Sequence, residues 1–126
     1  MQIEAWAANR LAGDMADILA NGYVDVFDMG GIRLARCHFA DPAFAAPFEG
    51  AVAAHPFKAA VAEADGVPAS FVAHDFEDTR VLAGSAGYRD DMPPPEMKFR
   101  TRQVVKDADV LVESFVFSVI REEAAA

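Results

Sequence analysis

The first twenty residues carry apolar positions at helical spacing. Trp6, Leu11, Met15, Ile18 and Leu19 fall largely on one side of a helix over residues 4–20, with Arg10, Asp14 and Asp17 mostly elsewhere. Asn21-Gly22 supplies the stop, because both residues tolerate the left-handed conformation after a last helical turn. The period then changes to two. Tyr23-Val24-Asp25-Val26-Phe27 alternates and is rich in strand formers. Asp28-Met29-Gly30-Gly31 reads as a turn, and residues 32–39 read as a second strand with Ile32, Leu34, Cys37 and Phe39 turned inward. The parity slips between Leu34 and Cys37, which predicts a bulge. Asp41-Pro42 ends that strand, since proline cannot donate to a ladder.

Residues 42–68 are Ala-rich, and Lys58 to Ala64 has helical propensity. Pro47, Pro56, Pro68, Gly50 and Gly66 cut the stretch into pieces that suit short strands and loops. Residues 69–74 and 80–85 read as a hairpin around the polar turn 74–79, with Gly84 to Gly87 bending the second strand away. Asp90 to Pro95 is an exposed loop, stiffened by Pro93, Pro94 and Pro95. Glu96 to Arg102 alternates again. Val110 to Ile120 is apolar on both parities, the mark of a central or covered strand, and the tail 121–126 is expected to fray. The sum is one domain over residues 1–126, a helix followed by six or seven short strands over about 23–120. Its predicted class is mainly β, a β-sandwich or jelly-roll-like domain.

Composition bounds the function. Eleven basic against 20 acidic side chains give a net charge of −9, which disfavours direct contact with nucleic acid. Hydrophobic residues make up 53%, too many for global disorder. Ala accounts for 26 of the 126 residues, so the large anchors are ten Phe, five Met, two Tyr and Trp6. The single cysteine, Cys37, excludes an internal disulfide and a Cys-rich zinc module. The N-terminal segment, broken by Glu4, Arg10, Asp14 and Asp17, reads as neither a signal peptide nor a membrane span, so a soluble protein made inside a cell is expected.

Catalytic chemistry is not indicated. His38, His55 and His74 lack metal spacing, and no nucleophile elbow, phosphate loop or dinucleotide fingerprint occurs. Cys37 and His38 are neighbours on a strand and point to opposite faces, so they form no nucleophile–base pair. Asp75, Glu77 and Asp78, and likewise Asp90 and Asp91, read as solvated turns. No catalytic, metal or cofactor site is assigned. One charge feature is local: Lys98, Arg100 and Arg102 alternate and, with Lys106, form a basic run in an acidic chain. It reads either as a patch for an acidic partner surface or as a solvated face or defended strand edge.

The stretch LARCHFADPAF at residues 34–44 resembles the Leu-Ala-Thr … Phe … Asn-Pro-Ala-Phe segment of a group of small β-rich virion structural proteins of tailed bacteriophages and of phage-like particles such as gene transfer agents. Further landmarks follow in the same order: Asn21-Gly22 before an alternating strand, Gly50 after Pro42-Ala43-Phe44, and Gly66 before Ala69-Ser70-Phe71. Thr79 to Gly87 is similar to that group's valine strand ending in Gly-Ser-Val-Gly, and Val110 to Val119 matches its closing strand. This chain has a shorter first turn and more Ala and charged residues. The resemblance implies a non-enzymatic virion component with no cofactor, made in the bacterial host cytoplasm. A capsid decoration or cement protein comes first, and a neck, tail or fibre-attachment component second. The implied partners are the major capsid protein or neck and tail proteins, with a homo-oligomer expected and no membrane or nucleic acid bound directly. Candidate contacts are Lys98, Arg100, Arg102, Pro93, Pro94 and Pro95. Two other classes are weighed beside it: a carbohydrate- or ligand-binding β-sandwich using Tyr88 or Trp6 as a stacking platform, and a hydrolase using Asp75 and Asp78.

Overall fold

The computed structural model describes residues 2–119. Helix α1 (Ala5–Leu19) precedes seven strands: β1 (Tyr23–Phe27), β2 (Arg33–His38), β3 (Ala51–Ala53), β4 (Ser70–His74), β5 (Arg80–Tyr88), β6 (Met97–Phe99) and β7 (Val112–Ser118). All seven belong to one sheet, in the order β2-β1-β4-β5-β6-β7-β3. Every neighbouring pair is antiparallel except β5 and β6, which run parallel. The sheet curls strongly into a half-barrel. The sandwich or jelly roll expected from the strand pattern is therefore corrected, while the mainly β class and the N-terminal helix hold. Short alternating strands serve either architecture. Here β7 pairs on one edge with β6 and on the other with β3, which continues a single sheet instead of starting a second.

A single sheet must cover its own apolar face, and curling does this. The concave side gathers Val24, Val26, Ala35, Cys37, Phe71, Ala73, Met97, Phe99 and Phe115, all buried. Phe115 lies at the centre. Its ring centroid is 5.1 Å from that of Phe71, 5.9 Å from Phe39, 6.0 Å from Phe57 and 6.3 Å from Phe44. Phe71 and Phe39 meet it edge-on or nearly so, the geometry that the aromatic quadrupole favours. Helix α1 covers β3 and β7. Its buried positions are Ala8, Ala12 and Leu19, with Met15 packed beside them. Trp6, Leu11 and Ile18 are exposed, contrary to the apolar face read from spacing. The small residues face inward because the helix lies close to the sheet: a Cβ on Gly13 would sit 3.3 Å from Pro47, and Asn9 Oδ1 accepts the Gly50 N–H.

The expected bulge is present. Val26 pairs with Ala35 and Phe27 with Arg33, so Leu34 is the extra residue. The bulge lets Leu34 and Ala35 both be buried, Ala35 in the main core and Leu34 in a second small cluster with Ala62 and Val104. Ile32 is exposed, not inward. The 74–79 turn joins β4 to β5 as a hairpin, and residues 42–68 form short pieces with no helix. β5 does not bend away at Gly84 to Gly87. It changes partner there, pairing with β4 up to Ser85 and with β6 from Ala86. Gly84 lets it pass, since an added Cβ would stand 2.8 Å from Phe71 Cε1. The alternating run after Glu96 gives a strand of only three residues, and β7 is uncovered on its outer side, where Val116 is exposed. The tail 121–126 lies outside the described residues. Among the described residues, no helix is long and apolar enough to cross a membrane.

Removing the central ring should be costly. Phe115→Ala is expected to lower unfolding free energy by about 3–5 kcal/mol in urea titration, against about 1 kcal/mol or less for its exposed neighbour in Val116→Ala.

Candidate interaction surface

β1 and β5 run in the same direction and end at the same end of the half-barrel, where β2 begins. Two aspartate-built turns stand there. Asp28 Oδ1 accepts the N–H groups of Gly30 and Ile32, each at 2.9 Å, and Gly31 takes a positive φ of 85° that closes the turn. Asp91 Oδ2 accepts the Tyr88 N–H at 3.1 Å, and its Oδ1 accepts from Arg102 Nη1 at 3.2 Å. Each turn orients the next residue outward. Met29 is 92% exposed and Met92 is 84% exposed. Between them the chain from Gly66 to Ala69 runs beside the end of β1, held by the Ala69 N–H on the Phe27 carbonyl. Val67 borders an open groove of about 640 Å³, shared with Tyr88, Asp91, Arg102 and Val105. Val67, Val105 and Ile32 are each more than half exposed. Arg102 lies over the Tyr88 ring, 4.4 Å from its centroid, while pairing with Asp91.

The sequence-derived contact residues divide. Arg102, Pro93 and Pro94 lie at or beside this end and are exposed. Pro95 is buried, packed over Gly87, so it is corrected from a contact residue to a support. Lys98, Arg100 and Arg102 do not share one strand, because β6 stops at Phe99. Arg100 Nε pairs with Glu113 at 2.9 Å and Arg102 with Asp91. Much of the run's positive charge is thus balanced within the chain, by exposed pairs of small energetic weight. Met29, Met92, Val67 and Val105 were not marked by sequence. Their signal was a large apolar residue next to a turn former, with nowhere to be buried.

The convex face holds a different constellation. Tyr23 lies between His38 and His74, stacked on His74 at 4.8 Å and tilted against His38 at 5.6 Å. Beside this row Asp25, buried, is held by Arg36 through bonds of 2.8 and 3.1 Å. Arg36 also covers the Tyr23 ring, and the Tyr23 hydroxyl donates to Asp78. Burial first, then the bond to Asp78, raises the Tyr23 pKa above its usual value. His74 Nδ1 is buried without a hydrogen-bond partner. The Tyr23 ring separates the two imidazoles, which makes this a structural clamp and not a nucleophile–base pair.

Other candidate groups are also placed. Asp75 Oδ1 caps the β4–β5 turn through the N–H groups of Glu77 and Thr79, the structural role expected of that cluster. His55 borders a cleft of about 90 Å³ with Ser114, but no hydrogen bond joins them. Among the described residues no group of three His, Cys, Asp or Glu side chains could hold a metal. Cys37 is buried, and burial pushes its thiol up to about 12. At neutral pH it is a protonated core residue and not a nucleophile. No family model, no curated protein and no solved structure matches this chain.

The Cys37 shift sets a pH dependence. From its ordinary value of 9.0 up to about 12 the unfolded chain holds fewer thiol protons than the folded one, so stability falls as pH rises through that window. Urea unfolding at several pH values should show a steeper alkaline loss in the parent than in Cys37→Ala, and parallel curves would remove the thiol from this account.

Proposed function

We propose that this chain is a non-enzymatic structural subunit of a phage-like particle, a capsid decoration protein that docks through the half-barrel end carrying Met29 and Met92. The observation that carries the reading is the set of exposed apolar side chains on the turns and loops of that end: Met29, Ile32, Val67, Met92 and Val105, of which Val67 and Val105 border the groove. Large apolar side chains grouped on a rim mark a surface that is covered in use. Methionine suits such a surface because its unbranched, polarizable chain adapts to a partner. The aspartate turns fix the backbone beneath both methionines, which lowers the ordering cost of docking. The order of turn and strand motifs from residue 21 to residue 119 supports the same class. On a shell, many symmetric copies let a modest contact act with high avidity.

The carbohydrate-binding alternative loses one of its two platforms, while Trp6 stays exposed. Tyr88 would have to stack a sugar, but Arg102 already lies over its ring. Asp75, the centre of the hydrolase alternative, is engaged with backbone N–H groups.

Immunogold electron microscopy of particles from the producing strain should label the head evenly. Labelling at one pole or along the tail would move the chain to the neck or tail class, and absence from particles would overturn the proposal. The surface itself is tested by Met29→Asp with Met92→Asp, which should cut incorporation into particles by about tenfold or more without lowering the Tm. Phe76→Asp, a change at the opposite end of the half-barrel, should leave incorporation unchanged.

A further inference from the structure

We infer that Asn21-Gly22 is a latent modification site: the fold keeps this asparagine intact, and opening of the helix–strand junction converts it to isoaspartate. The inference stands on different residues from the docking end above. The chain has two asparagines, Asn9 and Asn21, and only Asn21 precedes a glycine. Glycine has no Cβ to obstruct the approach of its nitrogen to the asparagine side chain. The reaction is intramolecular, which gives it a high effective concentration of nucleophile. The Gly22 nitrogen bonds to Asn21 Cγ and gives up its proton. The Cγ–Nδ2 bond breaks, and ammonia leaves carrying that proton. The product is a five-membered succinimide, which water opens. Opening at Cγ gives aspartate. Opening at the main-chain carbonyl carbon gives isoaspartate, with the chain routed through Cβ and Cγ.

The folded chain withholds what the first step needs. Asn21 is exposed, but its φ of 64° places it in the left-handed position that ends α1. The Gly22 N–H donates to the Leu19 carbonyl at 2.9 Å. The Gly22 carbonyl accepts from the Phe39 N–H at 3.2 Å, which ties the same residue to the segment after β2. Gly22 is also buried. An added Cβ there would overlap the His74 carbonyl oxygen and lie 3.0 Å from the Leu19 carbonyl oxygen and 3.1 Å from Asp75 Cα. Ring closure requires the Gly22 nitrogen to leave its hydrogen bond and turn inside that enclosure. The reaction therefore waits for the junction to open, and its rate reports how often α1 comes away from β1.

The same enclosure decides what the product does. Isoaspartate adds one main-chain atom immediately before Gly22, where a single Cβ already has no room. The ladder starts from this point, since Tyr23 pairs with His38 on one side and His74 on the other. The aspartate product instead sets a negative charge at the C-terminal end of α1, the unfavourable end of the helix dipole, near Asp17. A chain that stays unfolded long enough thus loses the junction it needs to refold, while a chain that stays folded keeps it.

The full chain is held at mildly alkaline pH in buffer and in unfolding urea, and conversion is followed by peptide mass mapping with enzymatic methylation to count isoaspartate. Conversion at Asn21 should run about tenfold or more faster in urea than in buffer. Asn9, which precedes Arg10, serves as the internal reference and should convert slowly in both. After return to buffer, the fraction that regains the parent Tm should fall in step with the isoaspartate content. Asn21→Gly keeps the left-handed φ without a side-chain amide, and should refold fully after the same hold in urea. Equal conversion in buffer and urea overturns the protection, and no conversion in urea overturns the site itself. Isoaspartate-bearing chain that refolds with the parent Tm, or an equal refolding loss in Asn21→Gly, overturns the claim that the product blocks the junction. Absence of the chain from particles overturns the function proposed above and leaves these outcomes unaffected.

Discussion

One constraint organises the molecule: a single sheet has to bury its apolar face without a second sheet to pack against. The Phe115 ring meets this by collecting aromatic partners from β4, from the segment after β2 and from both sides of β3. A fully buried aromatic side chain contributes roughly 1.5–3 kcal/mol, and Phe39, Phe71 and Phe115 are all buried in this cluster. The curl follows, because strands from both ends of the sheet must reach one cluster. Helix α1 then fits closely only with small residues beneath it, which leaves Trp6, Leu11 and Ile18 outside.

The curl also explains where the molecule is unfinished. A sheet wrapped this far brings β5 and β7 close with only three residues of β6 between them. At one end of the half-barrel the connecting turns cannot reach the aromatic cluster, so their apolar residues stay outside. Polar chemistry is spent on holding shape: Asp28, Asp75 and Asp91 cap turns, and Asp25 holds Arg36 on the convex face. Of the basic run, Arg100 and Arg102 are paired within the chain.

The elements were legible where a local rule decides them. Asn21-Gly22 stops the helix, the parity slip at Leu34 places a bulge, and prolines deny a helix to residues 42–68. Sheet closure was not legible, because whether β3 joins β7 depends on contacts about 65 residues apart in the chain. The helix face was misread because a ranking by hydrophobicity favours Trp6 over Ala8, whereas close packing favours Ala8. The basic run was visible as charge, but its partners Glu113 and Asp91 come from β7 and a loop that sequence could not place beside it. The exposed methionines sit inside the turn signal Asp28 to Gly31 and the loop signal Asp90 to Pro95, which mark backbone geometry and carry no information on an apolar side chain among the turn formers.

Those methionines give the most direct test. Hydrogen peroxide footprinting, read by mass spectrometry, compares the free chain with the chain in purified particles. Met29 and Met92 should oxidise readily in the free chain and about tenfold more slowly in the particle, while buried Met97 stays protected in both. Equal oxidation of Met29 and Met92 in the two states would contradict the account.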